Sequence, residues 1–214
     1  MSGELRIRRE APPDHRPVEE LTRDAFWDVN VPGCSEHYLA HILRGHEDFV
    51  PELDLVAELG GVVIGNVMYT RSRLAAGTGE ERQILTFGPV SIHPAHQRKG
   101  YGRALLEESF RRARELGYEL VVIFGSPANY SGLGFQSCRK HNICAEGGVY
   151  PTAMLVKELR LGVLDGRRWT YRESPAYRFD PLEAEKFDEG FPRREKGYRT
   201  SQEEFYIYSH STLR

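Results

Sequence analysis

Three cysteines in 214 residues, Cys34, Cys138 and Cys144, form an odd set with no Cys-x-x-Cys spacing. That pattern argues against a disulfide framework and against a structural zinc site, and it predicts a reducing, cytoplasmic setting. Long apolar runs are also missing. None is long enough to span a bilayer, and the first residues carry no apolar stretch of the kind that directs secretion, so no membrane role is expected. A surplus of one charge is absent as well: 29 Lys+Arg against 31 Asp+Glu gives a formal net charge of -2, which gives no reason to invoke a nucleic-acid partner. No internal repeat or low-complexity tract stands out. The length suits one domain with an appendage.

What is present is concentrated in the middle of the chain. Ile84-Leu85-Thr86-Phe87-Gly88-Pro89-Val90-Ser91-Ile92 predicts a buried strand, ended by Pro94, which has no N–H for a strand ladder. The basic loop Gln97-Arg98-Lys99-Gly100-Tyr101-Gly102-Arg103 follows. It opens a helix in which Ala104, Leu105, Glu108, Ser109, Arg112 and Leu116 recur at helical spacing. The first turn of a helix has unpaired N–H groups and the positive end of the helix dipole, and glycines without Cβ let a bulky anion approach those amides. The loop is therefore suited to a phosphate or pyrophosphate. It is not a Walker-type loop, which needs a longer glycine spacing ending in Lys-Ser/Thr. Nor is it a dinucleotide fingerprint, whose third glycine position holds Leu105.

A second buried strand, Glu119-Leu120-Val121-Val122-Ile123-Phe124, leads into Gly125-Ser126-Pro127-Ala128-Asn129-Tyr130-Ser131-Gly132-Leu133-Gly134-Phe135. Gln97-x-x-Gly100-x-Gly102, then Asn129 and Tyr130-x-x-x-Gly134-Phe135 one strand later, resembles the two cofactor motifs of the GCN5-related N-acetyltransferase (GNAT) superfamily. The resemblance covers about residues 4–160. It implies acetyl-CoA as the acetyl donor, no metal, and direct attack of a primary amine (of a small molecule or a peptide) on the thioester in a ternary complex. By the same resemblance, the strand end Val90-Ser91-Ile92 would pair with the pantetheine arm, and a backbone N–H there could hold the developing oxyanion. Gln97, Arg98, Lys99, Gly100, Tyr101, Gly102 and Arg103 would hold the pyrophosphate. Asn129 would bond the pantetheine, and Tyr130 would protonate the departing thiolate. The rival reading is a non-catalytic acyl-CoA-binding or sensor protein with the same fold.

The base and the acceptor pocket are harder to read. Residues 84–92 contain no carboxylate, although many family members use a Glu there. Ser91, His93, Glu52 and Asp54 are the nearby substitutes. The resemblance maps the acceptor pocket to residues 30–38 and 147–152, which makes Cys34, Glu36, His37 and Tyr38 the candidate acceptor residues. Cys34-x-x-His37 lacks further metal ligands nearby and lacks an orienting third group for a nucleophile. Ser35 is expected to cap the helix that these residues open. Together with the tail, the Pro32-Gly33-Cys34-x-Glu36-His37-Tyr38 run resembles an uncharacterised bacterial subgroup of the family and names no substrate.

In chain order the patterns predict a strand at Leu5-Arg6-Ile7-Arg8, two helices, a hairpin turning at Gly60-Gly61, and the central strand and helix. The second buried strand, a further helix and two last strands follow. The implied fold is α/β of the GNAT type: a mixed, mostly antiparallel central sheet flanked by helices, as residues 1–160. Residues 161–214 would be a C-terminal extension docking on it, with helix starts at Asp180-Pro181-Leu182-Glu183 and Ser201-Gln202-Glu203-Glu204 that resemble capping boxes. A homodimer is compatible with the chain.

Overall fold

A computed structural model describes residues 3–214. Leu5–Arg9 is β1, an edge strand with half-buried Leu5 and Ile7. His15–Phe26 is α1 and Glu36–Leu43 is α2. Leu55–Leu59 (β2) and Val62–Ala76 (β3) form the expected hairpin. Its turn holds Gly60 at φ 59° and Gly61 at φ 86°, the two positive values that a tight type I′ connection requires. Glu81–Ile92 is β4, Tyr101–Glu115 is α3, Leu120–Phe124 is β5 and Pro127–Tyr130 is the single turn α4. Short strands Gln136–Ser137 (β6), Ile143–Cys144 (β7) and Tyr150–Pro151 (β8) lead to Met154–Glu158 (β9). The tail adds Trp169–Arg172 (β10), Pro181–Asp188 (α5), Thr200–His210 (α6) and Thr212–Leu213 (β11).

The described residues form a nine-stranded main sheet in the order β1-β2-β3-β4-β5-β9-β6, with β10 bridging β3 and β7. Its pairs are antiparallel except β4–β5 and β7–β10. This is the mixed, mostly antiparallel sheet that the sequence predicts. The β4–β5 pairing is confined to Leu85 and Val121, so the two strands part beyond it and leave the C-terminal half of β4 unpaired on that side. One extra residue in β4, at Gly88-Pro89, sits between the Val67–Val90 and Tyr69–Phe87 pairs.

Side chains alternate across the sheet. Tyr69, Leu85, Val121 and Ile123 pack with Leu105, Leu106, Phe110 and Ala113 of α3 on one face, where the Tyr69 and Ser109 hydroxyls lie 2.6 Å apart. Met68 packs with Ala40 and Leu43 of α2 on the other, and Leu74, Ile84, Leu120 and Val122 enclose the fully buried Trp169. Burying a Phe or Trp of this kind is worth about 3–5 kcal/mol by truncation. Trp169 also shows that the expected division at residue 160 falls ahead of a strand belonging to the main sheet.

Two expected caps form differently. Asp180 accepts from the Leu182 N–H at 2.9 Å and caps α5, but Ser201 lies inside α6 and donates to the Val29 carbonyl at 2.8 Å. Ser35 makes no side-chain cap on α2; the Ser35 N–H is bonded instead by the Glu36 carboxyl at 3.0 Å.

Candidate active site

The parting of β4 and β5 opens two cavities that meet. The first, a cleft of about 500 Å³, is lined by Ala25, Val29, Val90, Ile92, His96, Gln97, Arg98, Gly100, Gly102, Arg103, Leu106, Asn129, Tyr130 and Leu133. The second, about 420 Å³, is a chamber walled by Phe26, Val29, Asn30, Glu36, Leu39, Phe87, Gly88, Pro89, Val90, Phe124, Gly125, Ser126, Asn129, Tyr130, Ala153 and, from the tail, Phe205, Tyr208 and Ser209. Val29, Val90, Asn129 and Tyr130 belong to both.

The cleft is floored by the start of α3. Gly100 sits in the left-handed region at φ 87°, where any larger residue is strained, and Gly102 packs so closely that a Cβ would meet Ile92 at 3.4 Å. The orphan amides of the first turn, Tyr101 to Arg103, therefore carry no bulky side chain at the two glycines. Side chains of the loop mostly brace it: Gln97 Nε2 donates to the Ile92 carbonyl at 3.0 Å and Lys99 Nζ to the Ala95 carbonyl at 2.8 Å. Arg103 donates to the Gly132 carbonyl at 2.8 Å, tying α3 to the loop after Tyr130. Lys99 and Tyr101 do not line the cleft; His96, which the sequence reading did not single out, does. Ser91 points away: it is buried, 3.2 Å from the Thr22 hydroxyl under α1. His93 is a turn residue whose Nδ1 accepts from the Ala95 N–H at 3.2 Å.

Tyr130 ends α4 with its ring packed among Phe87 and Phe135 at centroid distances of 5.7 and 5.8 Å. Burial, with a contribution from Tyr208, pushes its phenol up to about 12, so it holds its proton at neutral pH. Glu36 is the carboxyl group of the chamber wall. Asn30 Nδ2 and the Ser35 N–H donate to its two oxygens, each at 3.0 Å, and burial raises its carboxyl above the ordinary range despite those donors.

The four acceptor candidates from the sequence are separated by the fold. Glu36 lines the chamber; Cys34, His37 and Tyr38 face the tail instead. Tyr38 donates to Glu183 at 2.9 Å, and His37 is fully buried among Phe187 and Phe191. Asp188 supplies the third group that the Cys34-x-x-His37 pattern lacked, yet the trio is not an activated nucleophile. Cys34 Sγ lies 3.6 Å from His37 Nδ1, and His37 Nε2 lies 3.1 Å from Asp188 Oδ1 in a geometry too bent for a good hydrogen bond. Burial pushes the thiol up to about 12 and the imidazole down to about 4, so both stay neutral. Residues 147–152 are displaced from the wall for a similar reason: Tyr150 and Pro151 pair with Leu213 and Thr212, and only neighbouring Ala153 reaches the chamber. Asp54 is buried beside Glu10, with its carboxyl pushed up to about 9 by burial and that neighbour, and lines neither cavity; nor does exposed Glu52.

The tail holds the α1–α2 loop in place. Trp27 Nε1 donates to the Glu195 carbonyl at 3.0 Å, the Gly197 N–H donates to Asp28 Oδ1 at 3.0 Å, and Gln202 Nε2 donates to the Asp28 carbonyl at 3.0 Å. Arg23 pairs with Asp188 at 2.6 Å, with 4 % of its side chain exposed. Among the described residues no cluster of three metal-ligating side chains occurs, and no helix is long and apolar enough to cross a membrane.

Residues 18–135 match the model of the Acetyltransferase (GNAT) family. The chain is 31% identical to YhbS of Escherichia coli K12, an uncharacterized N-acetyltransferase, over 161 residues that span 75% of this chain and 90% of the relative. The solved structure of Escherichia coli YhbS in complex with CoA superposes with a TM-score of 0.71 at 27% identity, covering 84% of this chain and 96% of that one. A GNAT family acetyltransferase from Brucella melitensis, solved with acetyl-CoA, shares the fold with a TM-score of 0.65 at 24% identity, covering 82% and 99%.

Proposed function

The chain belongs to the acetyltransferase (GNAT) family, and on that premise we propose that it transfers the acetyl group of acetyl-CoA to a primary amine by direct attack within a ternary complex. The observation that carries this reading is the meeting of the two cavities at Val90 and Tyr130. A cofactor lying in the cleft, with its pyrophosphate on the amides of Gly100, Tyr101 and Gly102 and its arm along Val90 to Ile92, delivers its thioester to the mouth of the chamber. That YhbS was solved in complex with CoA supports CoA as the ligand of this fold.

The chemistry follows from the two titratable groups. The Glu36 carboxylate takes a proton from the bound ammonium. The free amine attacks the thioester carbon, the C–N bond forms, and the C–S bond breaks as the tetrahedral intermediate collapses. The Tyr130 hydroxyl protonates the departing sulfur, and the proton shed by the attacking nitrogen restores it. A carboxyl raised toward neutrality suits the base, because proton transfer is most effective when the catalytic group titrates near the working pH. Glu36 thus answers the missing carboxylate of β4, the main support for a purely acyl-CoA-binding protein.

The test is release of free CoA thiol from acetyl-CoA across a panel of amines and peptides, with calorimetric acetyl-CoA binding alongside. Amine-dependent release that falls in Tyr130→Phe while binding persists is the expected result. Binding without turnover on every acceptor would favour the non-catalytic reading.

A further inference from the structure

Resting on that reading, we infer that the acceptor is a small monoamine, one ammonium on an apolar or aromatic body, and that Phe205 and Tyr208 of α6 set its upper size. The chamber wall carries one ionisable carboxyl, Glu36, and no lysine, arginine or aspartate among the described residues. A polyamine or aminoglycoside would bring in at least one more cation with no counter-charge. An amino acid would bring in a carboxylate with no cation to meet it. A second charge with no partner in the wall is disfavoured there relative to water, which selects against both classes. Four phenylalanines, Phe26, Phe87, Phe124 and Phe205, stand in the wall among aliphatic and uncharged polar residues, and their rings can take an apolar body and offer a face to an ammonium.

The tail residues are held there by bonds to the backbone of the α1–α2 loop. Ser201 donates to the Val29 carbonyl at 2.8 Å and Gln202 to the Asp28 carbonyl at 3.0 Å, which brings Phe205, Tyr208 and Ser209 of α6 into the same wall as Glu36. Residues 201, 205 and 208 lie one turn apart along that face, while Tyr206 and Ile207 point to solvent, 59% and 58% exposed. The wall that limits the acceptor therefore comes from the far end of the chain.

The experiment measures binding to the full-length protein loaded with CoA, so that it does not depend on turnover. Calorimetry with 2-phenylethylamine, spermidine, an aminoglycoside and phenylalanine gives the ranking. The expected result is that 2-phenylethylamine binds at least about tenfold more tightly than the others and weakens about tenfold in Glu36→Gln, the loss of one charge pairing. CoA affinity should stay unchanged in that variant. Phe205→Ala should shift preference about tenfold toward a naphthyl-substituted ethylamine. Tighter binding of spermidine, aminoglycoside or phenylalanine overturns the inference, as does monoamine affinity indifferent to both substitutions. If the monoamine binds as expected but is never acetylated, the proposed reaction fails and what stands is the small monoamine as the ligand of the chamber.

Discussion

A methyl group placed on Gly125 would lie 2.5 Å from Cε2 of Tyr130, closer than non-bonded carbons approach. Gly125 is not in the left-handed region, and its N–H is fixed to the Ala153 carbonyl at 2.9 Å, so the requirement for glycine is purely the room that the tyrosine ring needs. Gly125→Ala should push the phenol off the cleft and imitate Tyr130→Phe. We expect kcat to fall on the order of a hundredfold with acetyl-CoA affinity nearly intact. Steady-state kinetics paired with calorimetry separates this from a folding defect.

Glu36→Gln keeps the shape and one acceptor oxygen, so it can accept from Asn30 or from Ser35 but not from both, and it cannot take a proton. The acid limb of the wild-type pH–rate profile should reflect Glu36: activity is present above its raised value and declines as pH falls through it. In the variant, kcat/KM should drop about a hundredfold or more and that limb should vanish. A limb that persists assigns the base elsewhere.

At the other end of the cofactor, Gly100 has open space around its Cα and a φ of 87°. Gly100→Val would cost roughly 1–2 kcal/mol of backbone strain and would place a branched side chain at the mouth of α3. Acetyl-CoA affinity should fall about tenfold, with kcat at saturation nearly unchanged. Calorimetry and saturation kinetics check the two halves of the statement.

His37 provides a stability test. Its folded value, about 4, lies below the 6.5 of the free side chain, with burial the largest cause. Between those values the unfolded chain binds the extra proton, so stability rises with pH across that window and is lost as pH falls through it. The full effect is on the order of 3 kcal/mol. Denaturant midpoints measured from pH 7 down to pH 4 should decline, and His37→Gln should flatten that decline.

The difference between what was legible and what was not is one of range. The phosphate loop is a local device in which strand end, glycines and helix start lie within about twenty residues, so Gln97 to Arg103 and the motif at Tyr130 stand out in sequence. The hairpin is legible for the same reason. Glu36 and His37, by contrast, are adjacent and similar on paper, yet one lines the chamber and the other is buried under α5. The phase of α2 is set by Asn30 and by Asp188, more than 150 residues apart in the chain. The face of α6 was hidden differently: Phe205-Tyr206-Ile207-Tyr208 is apolar on every side, and an unbroken run has no periodicity to reveal which side is buried.

The threading of the tail over the α1–α2 loop also fixes an order of events. The phosphate cleft draws mostly on residues 90–133 and closes through short loops. The chamber needs Asp28 to meet Gly197 and Gln202, so it closes one of the longest loops in the molecule. Short-range closure is the less costly in entropy, so the local contacts of the phosphate loop form ahead of the tail contacts that complete the acceptor wall. Loss of the chain's last turns would therefore remove the wall proposed to limit the acceptor while sparing the residues of the phosphate loop.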